Sequence, residues 1–170
     1  LFLFAFLLMN LYTHAESNTR KTWLYLTGFF LLVIGLGWVM SYLFENSSIL
    51  VFAVMLSIAM SLGSYWFSDK LVLAMSSAKP IQKSDAPELY RIVENLTITA
   101  GLPMPKLYIM EDVQPNAFAT GRNAKHAVVA VTTGLLNRLE RVELEGVIAH
   151  ELSHIGNKDM LISTIVIVLV

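Results

Sequence analysis

His150-Glu151-Leu152-Ser153-His154 is the stretch on which the reading of this chain turns. At about 3.6 residues per turn, positions i and i+4 share a helix face, so both imidazoles can aim a ring nitrogen at one metal ion. Glu151 stands beside them as a base. A single histidine on a helix is usually an ordinary core or surface residue. Two at this spacing with a Glu between them are what a zinc peptidase needs. His14 and His126 have no such company and read as ordinary residues.

Outward from the pentapeptide, a helix is expected from near Arg141 through His154. Leu144, Ile148, Leu152 and Ile155 form one apolar stripe, and Glu143, Gly146, His150 and His154 fall near another face. Gly146, one turn before His150, either leaves room for a metal or a neighbouring chain or is a packing contact. In a site of this kind zinc acidifies a bound water, and Glu151 takes its proton and returns it to the leaving amine. His150 and His154 are two of the usual three protein ligands. The extended pattern with a third His fails, because Met160 occupies that place and Asn157 stands where a Gly would be. Asp159 would be rotated about 140° away on a continuous helix, so its expected role is to accept a hydrogen bond behind a ligand, through a bend near Gly156-Asn157. The third ligand is expected beyond Val170.

The chain has 170 residues, 55% of them hydrophobic and 15% charged, and a mean hydropathy of +0.60, too apolar for an ordinary soluble domain. No charged side chain lies between Lys21 and Glu45 or between Glu45 and Asp69. Each gap accommodates the roughly 20 residues of a membrane-crossing helix. The expectation is a transmembrane hairpin within 21–70, with spans at about 23–44 and 49–67 joined by Glu45-Asn46-Ser47-Ser48. Arg20 and Lys21 precede it and Lys70, Lys79 and Lys83 follow, which places both ends in the cytosol. Trp23, Tyr25, Trp38, Tyr42, Tyr65 and Trp66 lie near the span ends as headgroup anchors. Gly28, Gly35, Gly37 and Gly63 suit close helix contact. There is no cysteine, in keeping with a reducing compartment, and a net charge of -1 offers no broad basic surface for nucleic acid. Residues 1–20 are an unassigned N-terminal segment, in which apolar Leu1 to Tyr12 is open to three readings, as the tail of a membrane helix, a signal-type segment or misjoined upstream sequence. Residues 160–170 read as the start of a further apolar, membrane segment, and the whole as a piece cut from a longer protein.

Between these apolar regions, 79–159 has the composition of an incomplete cytosolic domain, and the fold class is α+β. Lys79 to Ser84 reads as a linker, and Asp85 as the cap of a helix that has Pro87 and Glu88 in its first turn and ends at Gly101. Strands are expected at 106–110, 117–120 and 126–132, the last two joined by Gly121-Arg122-Asn123-Ala124-Lys125, giving a three-stranded sheet. A strand edge beside the zinc would bind an extended substrate by backbone pairing; equally, it would only cover the helices.

Three segments carry a resemblance: Pro115-Asn116-Ala117-Phe118-Ala119-Thr120-Gly121, Val131-Thr132-Thr133-Gly134-Leu135-Leu136, and Val147-Ile148-Ala149-His150-Glu151-Leu152-Ser153-His154-Ile155 with Asn157 and Asp159 following. In these the chain resembles the membrane zinc metalloproteases typified by the heat-shock protease HtpX. The resemblance implies a partial zincin-like domain behind the hairpin and one zinc per subunit. It implies a multi-pass endopeptidase of the inner membrane facing the cytoplasm, acting on misfolded or membrane polypeptides in quality control. It further implies that Asn116, Ala117, Phe118 and Ala119 form an active-site edge strand lining the substrate cleft. The third ligand of that family is a Glu on a helix after further membrane segments, a region this sequence lacks. An intramembrane protease is disfavoured by Arg141, Glu143, Glu145, Lys158 and Asp159 around the motif, each costly in a bilayer centre. The remaining alternative is a membrane-anchored, non-catalytic adaptor with an inert metal motif; structural zinc favours four ligands, often thiolates, which this chain does not have.

Overall fold

With no proline before Pro80 and apolar side chains throughout, the first half of the chain forms two long helices. The computed structural model describes residues 2–160, with side chains from Glu16 onward except Ser64 and Ser68. The apolar segment expected at 160–170 lies outside the described residues apart from Met160. Helix α1 is Phe2–Leu43 and α2 is Ser48–Met75. The segment before Arg20 is therefore continuous with the helix of the first span. At the turn between them Glu45 takes a left-handed backbone, φ 50, and Asn46 Oδ1 accepts the Ser48 N–H at 3.0 Å.

The two helices pack as a hairpin, closest where Gly37 meets Ala53, whose Cβ leaves no space for a side chain at position 37. Gly28, Gly35 and Gly63 face nothing within 4 Å, so the expectation of close contact holds at Gly37 alone. Both helices are long and apolar enough to cross a membrane, over Glu16–Leu43 and Ser48–Phe67, yet only 11% and 12% of their apolar windows are buried. A core helix of a soluble protein would be mostly covered. Exteriors that expose Leu24, Leu32, Leu36 and Phe52 demand lipid or another apolar partner.

The sheet has four strands rather than three, in the order β1-β2-β4-β3. Strand β1 is Lys79–Pro80, β2 Lys106–Met110, β3 Ala117–Thr120 and β4 Val128–Thr132. The expected linker thus contains a short edge strand, antiparallel to β2. Proline is tolerated there because an edge strand has no second neighbour to donate to, and Ile81 N–H continues the pairing to Leu107 O at 3.1 Å. β2 and β4 are parallel and β4 and β3 antiparallel. β4 begins at Val128, two residues later than expected. Asn123 accepts the backbone N–H of His126 and closes Ala124–His126 into a 3-10 turn.

Helices α3 (Pro87–Ala100), α4 (Thr133–Arg138) and α5 (Arg141–Asn157) cover one face of the sheet. The cap of α3 is Ala86, not Asp85: Pro87 sets the first helical position, and Asp85 instead accepts the Gln82 N–H at 2.7 Å in the preceding turn. Gly101 ends that helix at φ 66, where a side chain would be strained. The core on this face joins Ile92, Val93, Leu107, Val129, Ile148 and Ile155, all nearly inaccessible. The opposite face, with Met110, Val128 and Ala130, is covered by Leu73 near the end of α2. β4 is consequently buried on both sides, as its unbroken apolar run requires.

Candidate active site

The site is built on α5. Its first turn is closed by a capping box in which Glu140 N–H donates to Glu143 Oε2 at 2.9 Å. Leu144, Ile148, Leu152 and Ile155 are buried against the sheet, and that anchoring sets the rotation of the helix. His150 then lies exposed and Glu151 and His154 partly covered on its flank. The two imidazoles meet edge to face, with ring centroids 4.8 Å apart and planes at 85°. Gly146 is exposed, and a Cβ there would meet nothing within 4 Å, which removes the packing reading and leaves the turn before His150 open.

Past His154 the helix stops at Asn157, because Lys158 adopts a left-handed backbone, φ 55. The reversal returns the chain toward α5, and Asp159 Oδ2 lies 2.9 Å from His154 Nδ1. A carboxylate on Nδ1 holds the ring in the tautomer whose Nε2 lone pair is free, the form a metal takes. The terminal carbonyl of α5 is not left bare: Asn18 Nδ2 of α1 donates to Asn157 O at 3.1 Å. Among the described residues no set of three His, Cys, Asp or Glu side chains converges as a metal-binding group. His150 and His154 are thus a pair of nitrogen donors of the right type and spacing for zinc, short of a complete ligand set.

Glu151 is tied to the sheet. Burial raises its carboxyl pKa above the ordinary glutamate range; His154 and His150, and a backbone hydrogen bond from Ala119, act in the opposite sense. The Ala119 contact follows from the register of β3. Thr132 N–H donates to Asn116 O at 2.9 Å, and alternation in an antiparallel pair then turns the Asn116, Phe118 and Thr120 backbone toward β4 and the Ala117 and Ala119 backbone toward the open edge. Of the four residues expected on an edge strand, Ala119 reaches Glu151 through its backbone. The Phe118 ring lies on the other face of the sheet, against the cluster of Met110, Val128 and Ala130. It lines an open groove of about 640 Å³ with Asn116, Ala119, Glu111 and the end of α2 at Val72 and Met75.

Thr132 is a functional support that the sequence reading passed over. Its buried hydroxyl accepts the N–H of Asn116 at 2.9 Å and that of Leu135 at 3.2 Å, and donates to Gln114 O at 2.8 Å. One side chain therefore caps α4 and fixes the start of the edge strand. The signal was present in a threonine just ahead of the Thr133-Gly134 helix start. Gly134 itself is pressed against the Val113 carbonyl, leaving no room for a side chain.

Comparison with known proteins agrees with this architecture. Residues 83–170 match the family described as Peptidase family M48. Proteins named Protease HtpX homolog are 50% identical over 151 residues in Desulfatibacillum aliphaticivorans, covering 88% of this chain and 47% of that protein. The corresponding relative in Thermodesulfovibrio yellowstonii is 58% identical over 114 residues, covering 67% and 40%. That in Streptococcus gordonii is 43% identical over 161 residues, covering 94% and 54%. The chain spans about half the length of the curated relatives it matches. Among solved structures, Ste24p of S. mikatae superposes with a TM-score of 0.51 over 95% of this chain and 38% of its own, and at 17% identity that likeness concerns the fold. The resemblance read from the three sequence segments is borne out, and with more than half of its residues matched the chain belongs to peptidase family M48.

Proposed function

We propose that this chain is part of a zinc-dependent, membrane-bound endopeptidase. The observation that carries the reading is the pair His150 and His154 edge to face on one flank of α5, with Asp159 behind His154 and Glu151 against the edge strand. His150 and His154 would hold the zinc, His154 through Nε2 because its Nδ1 faces Asp159. When bound, zinc supplies Lewis-acid charge for polarising a peptide carbonyl and acidifying a water. A third ligand from a region past Val170 is part of this proposal.

Glu151 does the proton work. Its carboxylate is half buried beside both imidazoles and accepts the Ala119 N–H, which places it to take a proton from a water at the metal and to return it to the leaving amine. The outward-facing backbone of Ala117, with the carbonyl of Ala119 beyond it, offers a donor and acceptor row on which an extended polypeptide would align as an added strand, the Ala119 N–H being held by Glu151. Membership of the peptidase family and the exposed apolar hairpin support polypeptide substrates handled at a lipid bilayer. The flanking cations support a site on the cytoplasmic side of the cell's inner membrane. The finer assignment, cleavage of misfolded or membrane proteins in quality control, rests on resemblance to HtpX-type proteases.

The test is metal content and casein cleavage by the full-length, detergent-solubilised protein. One zinc per chain with chelator-sensitive cleavage is the expected outcome. Absence of zinc and of cleavage would leave a membrane-anchored domain and overturn the reading.

A further inference from the structure

The loop between β3 and β4 reaches the membrane hairpin at a place the peptidase chemistry does not use. Gly121, at φ 136 and against the His126 carbonyl with no space for a side chain, turns the chain there. Arg122 then projects onto α2, with its guanidinium 4.6 Å over the Trp66 ring. Its Nη2 is 2.9 Å from His126 Nε2, and His126 Nδ1 is held by Asn123 Oδ1 at 2.8 Å. These contacts fix the cation before any ligand arrives. Among the described residues neither Arg122 nor Lys158 has a carboxylate within ion-pair distance.

Arg122 and Lys158 both line a cavity of about 210 Å³ with Thr19, Thr22, Trp23 and Tyr65, and among the described residues no acidic one is in its wall. Trp23 and Tyr65 are stacked at 6.4 Å. Both also line an apolar groove of about 370 Å³ that runs along the hairpin between Leu26, Phe30, Leu62 and Trp66. A basic, hydroxyl-bearing pocket thus opens into an apolar channel, with aromatic rings at the junction. A free phosphate would use only the first, a lipid without a phosphate only the second, and a zwitterionic lipid would bring its own cation into the basic pocket.

We propose that this junction is a binding site for an anionic phospholipid of the bilayer. The headgroup phosphate sits between Arg122 and Lys158, and an acyl chain lies in the groove between α1 and α2. The occupant would bridge the hairpin and the end of α5, where Lys158 caps the helix that carries the histidines. The proposal rests on the membrane reading of the hairpin.

The experiment uses the full-length protein with Trp38, and every tryptophan outside these 170 residues, replaced by Phe, so that Trp23 and Trp66 report. It is placed in vesicles of phosphatidylcholine containing a small fraction of chain-brominated phosphatidylglycerol or, separately, chain-brominated phosphatidylcholine. Expected is a preference of about 30-fold for the brominated anionic lipid, the effect of two cations at a membrane surface at about 1 kcal/mol each. Arg122→Gln with Lys158→Gln should abolish the preference while leaving quenching by brominated phosphatidylcholine intact, which also shows that the variant is folded. Lys70→Gln, which removes a cation of α2 whose ammonium lies over Phe67 outside this pocket, should retain it. Equal losses in the Lys70 variant would mean diffuse surface attraction and overturn the site. Displacement by millimolar inorganic phosphate would make it a phosphate pocket and overturn the lipid. Quenching by neither brominated lipid would instead refute the membrane reading on which the proposal stands.

Discussion

Glu151 is subject to opposed demands. Its carboxylate is half buried against β3, which disfavours the charge, while two imidazoles and the Ala119 amide favour it, with burial the larger effect. A carboxyl whose folded-state pKa is raised costs stability when ionised. That cost is fully present above the folded pKa and vanishes as the pH falls below the unfolded value. Replacing Glu151 with Gln should therefore raise the unfolding temperature of the metal-free protein at neutral pH, and the gain should disappear toward about pH 4. In the zinc-loaded full-length enzyme the same change should lower kcat by about 10² to 10⁴ without releasing zinc, as metal analysis beside the kinetics would show. Asp159 belongs to a different category, since it touches His154 rather than a substrate. Asp159→Asn should weaken zinc affinity by about 10- to 100-fold, measured by chelator competition, with kcat at saturating zinc much less affected.

At the scale of elements, the edge strand and the motif helix act as one unit, held in register by Thr132 and by the Ala119 amide. Ala117 offers an outward N–H to an incoming strand. Ala117→Pro would remove it while a proline remains compatible with a strand edge. Peptide kcat/KM should fall by up to about ten-fold, the value of one backbone hydrogen bond, with zinc content unchanged. Helix α5 and strands β2 and β3 were legible in the sequence because hydrophobic period and turn residues agree there: Leu144, Ile148, Leu152 and Ile155 recur at helical spacing, and the strand at 106–110 is bounded by Pro105 and the polar stretch after Met110. Other features were not legible for identifiable reasons. β1 is two residues long and contains Pro80, so it carries no periodicity and exists only through pairing with β2. Parallel pairing of β2 with β4 is a long-range choice that no local pattern encodes. Asp85 has the chemistry of a helix cap, yet the backbone restriction imposed by Pro87 moved the helix start past it. The left-handed Lys158 that brings Asp159 to His154 has no residue-type signal at all, since glycine is the usual occupant of such a position.

At the scale of the whole molecule, α2 runs from the apolar hairpin to the α+β domain. Its 28 residues extend about 42 Å, longer than the roughly 30 Å of a bilayer's hydrocarbon core. The excess carries Leu73 out of the apolar span and onto Met110, Val128 and Ala130, with Tyr108 and Phe118 packed around them. The sheet therefore has one face closed by α3 and α5 and the other closed by the end of the long apolar helix α2. α1 adds a second tie through Asn18 at the end of α5. A domain released from the hairpin would present an uncovered apolar sheet face beside the open β3 edge, a combination that favours aggregation. Leu73→Ala in the full-length protein tests this with the chain intact: loss of a largely buried leucine should cost about 2 to 3 kcal/mol at that interface. If the helix is what closes the sheet, limited proteolysis should then cut near Ser76-Ser77 much faster than in the parent protein, and the released domain should bind a hydrophobic dye and self-associate on size exclusion. An unchanged cleavage rate in the Leu73 variant would mean that the sheet holds its outer face without α2.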